Sequence, residues 1–337
     1  MKIALKITPQ RSTQYASMTT ALATPELLAS PLQAVIQHIE SIQLAGQDYL
    51  LATLEESCTP SSPLFAILFH LGAISEVYEY FSSIGDLTGP FLRPIEPQST
   101  PFVPLEMAEV RRYKGKTNEV FTRVLLNVGI FASHYAEQYS ERLRVLDPMA
   151  GGGTTLFLAL ASGYDAFGID LERQDIETTA VFVRQYLEGE RIHFKELDER
   201  SRRAGRRYQF EIGPKKHMHS LVLVNGDASE ADQHLRDVSG GPHAHAIVGD
   251  LPYGIQHFGE ISELLNRALP VWERILYPGG AMALAWNATR ISREEMIALV
   301  GTQTGLQVLN EPPYTQFAHT VDRVIKKRDI LVAVKPL

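Results

Sequence analysis

The sequence predicts an α/β fold, in which a mostly parallel sheet carries helices on both faces and a smaller domain precedes it. At 337 residues the chain exceeds a typical domain of about 100 to 200 residues. After about residue 105, short apolar strand patterns alternate with helical patterns, as a parallel sheet requires. The last two strand patterns have no helix between them, which indicates an antiparallel hairpin at the sheet edge.

The elements of the predicted sheet follow one another in a regular order. The predicted strands are Leu143–Asp147, Asp165–Asp170, Ser220–Asn225, Ala244–Gly249, Ala281–Trp286, Leu306–Leu309 and Asp329–Val334. The predicted helices are Val120–Ser133, Thr154–Ser162, Arg173–Leu187, Ile261–Leu276 and Arg293–Val300. The candidate cofactor-binding and catalytic motifs fall at the ends of these strands.

The N-terminal part of the chain is harder to interpret. Apolar residues at mixed spacing predict helices over residues 31–44 and 62–81, with a short strand at 49–54. Prolines concentrated in residues 89–104 restrict the backbone and remove hydrogen-bond donors, which is typical of a linker. We therefore expect an accessory domain over residues 1–105 and a second domain over residues 106–337.

Composition is that of a globular, cytoplasmic protein. Hydrophobic residues make up 45% and charged residues 21% of the chain, and no apolar run approaches the roughly 18 residues of a membrane span. Residues 1–10 lack the apolar stretch of a signal peptide. The one cysteine, Cys58, can form neither an internal disulfide nor a cysteine-based zinc site, so we expect it to be buried packing.

Charge is unevenly distributed along the chain. The net charge of −7 argues against coating of nucleic acid by charge alone. Residues 191–219, however, contain nine Lys or Arg against four acids, a balance of +5 that leaves −12 for the remainder. We predict that this segment is an insertion between the second helix and the third strand of the domain. It either contacts phosphate through its basic face or is a solvated charged hairpin.

A glycine loop joins the first predicted strand to the following helix. The segment VLDPMAGGGTT lacks the lysine of an ATP-binding phosphate loop and departs from the G-x-G-x-x-G of nicotinamide-binding folds. Its strand-end carboxylate would repel a pyrophosphate but suits the positive sulfonium of S-adenosylmethionine. A turn with no ligand remains the alternative. The predicted cofactor-binding residues of the loop are Asp147, Pro148, Ala150, Gly151, Gly152, Gly153 and Thr154.

Two further strand ends carry candidate cofactor contacts. Asp170, followed by Leu171, lies 23 residues after Asp147, where a carboxylate can accept both ribose hydroxyls of an adenosyl ligand. Asp227 lies just past the third strand, where its side chain could take the adenine amino group while the Ala228 amide meets a ring nitrogen. Capping of the following helix is the alternative for both aspartates.

The most specific signal is AIVGDLPYG, residues 246–254, an apolar strand that runs into Asp250, Leu251, Pro252 and Tyr253. Together with the DPMAGGGTT loop it resembles the amino-methyltransferases, and the DLPYG form looks most like the THUMP-associated tRNA guanine-N2 methyltransferases, over about residues 113–335. Leu251 stands where the commoner pattern has its first proline. The resemblance implies a Rossmann-like class I methyltransferase sheet, S-adenosylmethionine as the cofactor, and catalysis by these four residues.

The chemistry explains the residue types of this motif. An exocyclic amine conjugated to a ring is a poor nucleophile, so a site must draw its hydrogens toward acceptors. Asp250 supplies one acceptor, and the Leu251 carbonyl can supply a second because Pro252 restricts the residue before it. Tyr253 offers an aromatic face for stacking a base.

No metal is expected. Seven of the eleven histidines fall between His193 and His257, and the pairs 217/219 and 243/245 have same-face spacing on a strand. Without a nearby cysteine or an HExxH motif, surface histidines are the better interpretation.

The leading hypothesis is therefore methylation of an exocyclic amino group on a nucleic-acid base, in RNA rather than DNA, of the tRNA guanine-N2 type. A DNA adenine-N6 or cytosine-N4 methyltransferase, a small-molecule N-methyltransferase and a noncatalytic cofactor-binding subunit remain alternatives. Nucleic acid is the expected partner and a membrane is not, while a protein partner or a homodimer stays open.

Overall fold

The protein contains a five-stranded sheet in the N-terminal third of the chain and a nine-stranded sheet in the remainder. The computed structural model describes residues 1–10, 13–97, 99–197, 207–252, 258–321 and 326–337. Tyr253, Gly254 and the basic residues 200–206 of the predicted insertion lie outside these described residues.

The N-terminal sheet has five strands, all paired antiparallel. Its strands are β1 (Lys2–Ile7), β2 (Ile36–Leu44), β3 (Gln47–Leu54), β4 (Ile74–Ile84) and β5 (Leu87–Pro94). The accompanying helices are α1 (Thr13–Ala29), α2 (Pro63–Ala66) and α3 (Glu106–Val110). The spatial order of the strands is β2-β3-β1-β4-β5, so β1 occupies the centre.

This region differs most from the sequence prediction. The strand at 49–54 is confirmed within β3, but residues 36–44 and 74–84 form β2 and β4 where helices were predicted. The helix predictions are wrong for these residues because they pair with distant partners, β2 with β3 and β4 with β1, and long-range pairing overrides local spacing. Short helical turns do occur at 31–35 and 63–69, within the predicted helices. The first part of the predicted linker is also strand, since β5 continues to Pro94.

The second sheet has nine strands and matches the predicted alternation. Its strands are β6 (Arg144–Asp147), β7 (Asp165–Asp170), β8 (Phe194–Leu197), β9 (Arg207–Ile212), β10 (His219–Asn225), β11 (Ala244–Asp250), β12 (Leu276–Asn287), β13 (Gln307–Leu309) and β14 (Arg328–Val334). The helices are α4 (Glu119–Ala132), α5 (Thr154–Ala161), α6 (Arg173–Gly189), α7 (Ala231–His234), α8 (Phe258–Ile275) and α9 (Arg293–Gln303). The predicted helices and strands of residues 106–337 are thus confirmed within a few residues at each end.

The strand order of this sheet is β13-β14-β12-β11-β6-β7-β10-β9-β8. Strands β10, β7, β6, β11 and β12 run parallel, and β14 pairs antiparallel with both β12 and β13. The chain leaves β6 toward β7 and β10 on one side and then returns to β11 and β12 on the other. The predicted Rossmann-like sheet of the class I methyltransferases, with an antiparallel pair at its C-terminal edge, is confirmed.

The charged segment between α6 and β10 extends this sheet. Strand β9 pairs antiparallel with β10, and β8 pairs antiparallel with β9 at the outer edge. Residue Arg207, the first of β9, lies opposite Val224 near the carboxyl end of β10. The last residue of β8 and the first residue of β9 therefore lie at the same edge of the sheet as the carboxyl ends of the parallel strands.

The two sheets share one hydrophobic cluster, which includes Leu5 of β1, Leu22 of α1, Val124 of α4 and Leu158 of α5. Cys58 is buried in this cluster, as expected. The division into domains at residue 105 stays a prediction. Among the helices that the structure describes, none has the length and hydropathy of a membrane span.

Candidate functional site

The predicted site residues meet at the carboxyl edge of the parallel strands. Asp147 ends β6, Asp170 ends β7 and Asp250 ends β11, and β6 lies between the other two strands. Because the chain reverses its direction of progress across the sheet at β6, the loops on either side diverge and leave a crevice, the usual ligand position in such sheets.

The glycine loop makes a tight turn from β6 into α5. The Asp147 carboxylate accepts a hydrogen bond from the Met149 amide at 3.0 Å, and the Ala150 amide donates to the Ile169 carbonyl of β7 at 2.9 Å. Gly153 precedes α5 with φ of 89°, a left-handed conformation that favours glycine. The turn is thereby tied to both central strands and holds its backbone close to the crevice.

The remaining loop residues pack tightly. Pro148 lies against the end of β11, since a Cβ at Gly249 would stand 3.6 Å from its ring. A Cβ at Gly152 would lie 2.3 Å from the Tyr113 ring, so the aromatic face covers this glycine. The Tyr113 and Thr154 hydroxyls are hydrogen-bonded at 2.8 Å. Tyr113 was not predicted as a site residue, although it opens the segment YKGKTN, where the sequence resemblance begins.

Asp147 is a buried carboxyl in the company of other carboxyls. Its side chain is 3% exposed. Burial, with a smaller contribution from the negative charges of Asp170 and Asp250, raises its pKa to about 7 against the opposing hydrogen bonds from Thr155 and Met149. Ionisation of Asp147 is costly because the group is buried beside two other carboxyls. A cationic ligand would reduce this cost, since its positive charge offsets the repulsion between the carboxylates.

Asp170 connects the glycine loop to the following helix. One carboxylate oxygen accepts from the Gly151 amide at 2.7 Å and the other from the Glu172 amide at 2.8 Å. Burial raises its pKa and the two amide hydrogen bonds partly offset this. Each oxygen keeps a lone pair for a ribose hydroxyl. The neighbouring Leu171 is 72% exposed.

Asp227 has the capping role that the sequence left open. One oxygen accepts from the Ser229 amide at 2.8 Å, and the other accepts from Arg267 at 3.2 Å. Burial would raise its pKa, but the Ser229 and Arg267 interactions lower it below its ordinary value. Ala228 is buried, and its carbonyl accepts from the Trp272 indole at 2.9 Å. Recognition of adenine by these two residues stays a prediction.

The DLPYG motif begins at the end of β11. Asp250 accepts a 2.7 Å hydrogen bond from the Thr117 hydroxyl through its Oδ2 atom. The Leu251 amide donates to the Ala285 carbonyl at 2.9 Å, and the Leu251 side chain is buried. Pro252 is exposed, and Tyr253 lies outside the described residues. The acceptor and the first part of the motif are thus held by neighbouring elements, whereas the stacking role of Tyr253 stays a prediction.

The histidines have ordinary structural surroundings. His217 and His243 are exposed, whereas His219 packs on Phe102 and His245 accepts from the Arg144 amide at 2.9 Å. The expectation of surface histidines therefore holds for only some of them. Within the described ranges, no group of His, Cys, Asp or Glu is arranged to hold a metal ion.

Comparisons with known proteins were made for the whole chain. Neither a protein-family model nor a curated protein matches it. The solved structure of TrmN from Thermus thermophilus covers 99% of this chain and 99% of its own, at 13% identity and a TM-score of 0.45. A methyltransferase homolog from Pyrococcus horikoshii covers 99% and 87%, at 11% identity and a TM-score of 0.41. A methyltransferase from Pyrococcus furiosus covers 68% and 89%, at 14% identity and 0.40. These distant likenesses add nothing to the strand order described above.

Proposed function

We propose that this chain is an S-adenosylmethionine-dependent methyltransferase that methylates an exocyclic amino group of a base in RNA, of the tRNA guanine-N2 type. The observation that carries the proposal is the meeting of Asp147, Asp170 and Asp250 beside a glycine loop at the reversal point of the sheet. This arrangement combines a place for a cationic adenosyl ligand with an acceptor for an amine.

The donor groups at the edge suit S-adenosylmethionine better than a nucleotide. Three carboxylates would repel a pyrophosphate and attract a sulfonium. The Asp170 oxygens accept from backbone amides and have further lone pairs for the ribose hydroxyls. The exposed Leu171 offers an apolar surface for the adenine ring. When bound, the cofactor supplies a methyl group on a positively charged sulfur.

Asp250 has the place and chemistry of the amine acceptor. It ends the strand beside β6, so it lies next to the glycine loop that would hold the methyl donor. A carboxylate there accepts a hydrogen from the amine and stabilises the positive charge that the nitrogen gains as it attacks the methyl group. The Leu251 carbonyl is the proposed second acceptor, and Tyr253 the proposed stacking surface for the base.

The basic insertion supports a nucleic-acid substrate. Strand β8 ends and strand β9 begins at the carboxyl edge, which is also the edge of the acidic crevice. The sequence that joins these two strands contains Arg200, Arg202, Arg203 and Arg206. Phosphate contacts beside the crevice would allow a chain of net charge −7 to bind a polyanion locally.

A methylation assay tests the proposed function. Total tRNA, rRNA and genomic DNA from cells that lack the gene are incubated with the protein and radiolabelled cofactor, and the labelled nucleosides are identified. We expect N2-methylguanosine in tRNA, formed about a hundredfold more slowly or less when Asp250→Ala replaces the wild type. Label confined to DNA adenine or cytosine would refute the RNA assignment, and a cofactor-binding protein that labels none of the pools would refute base methylation.

Salt dependence tests the insertion. Replacing Arg202 and Arg203 with Ser should weaken binding to the labelled nucleic acid and lower its salt slope by up to about 1.4, since each phosphate contact on a single strand contributes about 0.7. Lys215→Ser with Lys216→Ser is the matched control, because these residues lie between β9 and β10 at the opposite edge. Equal slopes for both variants would reject a phosphate-binding role for the insertion.

A further inference from the structure

The segment between α3 and α4 touches both halves of the candidate site. Near its start, Tyr113 covers Gly152 and is hydrogen-bonded to Thr154 of the cofactor loop. Four residues later, the Thr117 hydroxyl donates to the Asp250 carboxylate at 2.7 Å. One short segment therefore joins the loop assigned to the methyl donor to the residue assigned to the amine.

We propose that Thr117 is a positioning residue for the transfer step, which fixes the orientation of the Asp250 carboxylate toward the substrate amine. The proposal rests on the proposed function, because it gives Asp250 the role of amine acceptor. Neither composition nor motif spacing indicated this residue, since its partner lies 133 positions away in the chain.

Thr117 is held by a rigid neighbour. The next residue, Asn118, caps α4 by accepting from the Phe121 amide at 3.1 Å, and its side-chain amide donates to Gln10 at 3.2 Å. Helix α4 is buried along most of its length. A hydroxyl that precedes a capped, buried helix has little freedom, so it can hold a carboxylate in one rotamer.

The chemistry of the donor matters as much as its position. A hydroxyl carries no net charge, so it orients the carboxylate without neutralising it, which a lysine or arginine would do. Asp250 then keeps its negative charge for the amine, where positive charge develops during methyl transfer. The hydrogen bond from Thr117 takes one lone pair of Oδ2.

Three variants separate positioning from simple stability. Thr117→Val keeps the shape and removes the donor, Thr117→Ser keeps the donor, and Thr302→Val is a matched control because its exposed hydroxyl donates within α9. In single-turnover reactions with the nucleic-acid pool that the wild type labels, Thr117→Val should be about 10- to 100-fold slower, with cofactor Kd changed less than about twofold. Thr117→Ser should recover most of the rate, and Thr302→Val should match the wild type.

A double-mutant cycle tests whether Thr117 acts through Asp250. In the Asp250→Ala background, Thr117→Val should cause no further loss, because the group it orients is gone. Equal losses in both backgrounds, or an unchanged rate in the single variant, would overturn the proposal.

A crystal structure of Thr117→Val gives a readout that does not depend on the substrate. We expect the Asp250 carboxylate to occupy more than one rotamer in the variant and a single rotamer in the wild type. A single unchanged rotamer in the variant would overturn positioning even if base methylation is confirmed. Conversely, a disordered carboxylate in a protein that methylates no base would show that Thr117 orients Asp250 but would refute the proposed function, and with it the role in methyl transfer.

Discussion

Two buried carboxyl groups show how the same degree of burial serves different ends in this molecule. Glu26 of α1 is fully buried where the N-terminal sheet meets α4, and Asp147 is nearly so at the carboxyl edge of the second sheet. Burial raises the pKa of both groups. The groups that surround the two carboxyls differ, and these surroundings determine what each carboxyl does.

Glu26 is surrounded by donors. It accepts from the Gly72 amide at 2.7 Å, the Ala73 amide at 2.9 Å and the Asn127 side chain at 2.8 Å, and the positive charge of Arg123 also opposes the rise of its pKa. Asp147 instead has the carboxylates of Asp170 and Asp250 nearby, which raise its pKa. A buried acid with satisfied partners joins two parts of a fold, whereas a buried acid among acids is costly unless a cation binds.

The largest expected effect is the loss of stability in Glu26→Ala. Three buried donors would lose their acceptor and Arg123 would lose a nearby negative charge, so the free energy of unfolding should fall by about 3 to 5 kcal/mol. Urea denaturation of this variant and of Glu56→Ala, an exposed control, measures the difference. A loss below about 1 kcal/mol would mean that Glu26 does not hold the two sheets together.

Asp250→Ala should give the largest functional effect. It removes the acceptor whose interaction with the amine strengthens as the amine gains charge. The activation free energy of methyl transfer should therefore rise by about 3 kcal/mol, which lowers the rate a hundredfold or more. Cofactor affinity should survive, because the residue is assigned to the amine. Full single-turnover activity of this variant on the true substrate would contradict the proposed mechanism.

Asp170→Ala should affect the cofactor instead. Losing a charge-assisted hydrogen bond to the ribose costs about 1.5 to 3 kcal/mol, or about 10- to 100-fold in affinity. Calorimetric titration with S-adenosylmethionine measures the effect, with Asp175→Ala, on the neighbouring helix, as a control of similar charge. An affinity within about twofold of the wild type would show that the ribose assignment is wrong.

The smallest expected effect is a pH dependence that Asp147 causes. Its pKa of about 7 means that it is protonated below neutrality, so affinity for the cationic cofactor should fall by up to about tenfold per pH unit as the pH decreases below that value. Affinity for S-adenosylhomocysteine, whose sulfur is neutral, should change less. Calorimetry with both ligands, for the wild type and for Asp147→Asn, checks this expectation. The same slope for both ligands would contradict it.

The sign for folding stability is opposite to that for cofactor binding. The folded pKa of Asp147 lies above the unfolded value of about 3.9, so its contribution to stability is complete below that pH and is lost as the pH rises through about 7. Asp147→Asn should remove this dependence, which thermal denaturation across that range would show. The pKa of Glu26 is also raised, so the pH dependence of its contribution to stability has the same sign.

The sequence by itself determined most strands of the second sheet and the positions of three aspartates of the candidate site. Strands β6, β7 and β11 are short apolar runs that end in aspartates, and parallel strands place their carboxyl ends at one edge, so Asp147, Asp170 and Asp250 could be brought together from the pattern alone. Local information was sufficient there because the alternation of strand and helix leaves few arrangements of the chain.

Only the tertiary structure decided the N-terminal sheet, the capping role of Asp227 and the contacts of Tyr113 and Thr117. Strand β4 depends on pairing with β1, about 70 residues earlier, and Asp250 is bonded to a hydroxyl 133 positions away. Such contacts leave no periodic pattern in the sequence, because the residues next to either partner do not determine which distant residue it meets. Their physical basis is the close approach of distant segments in the folded chain, which no local pattern specifies.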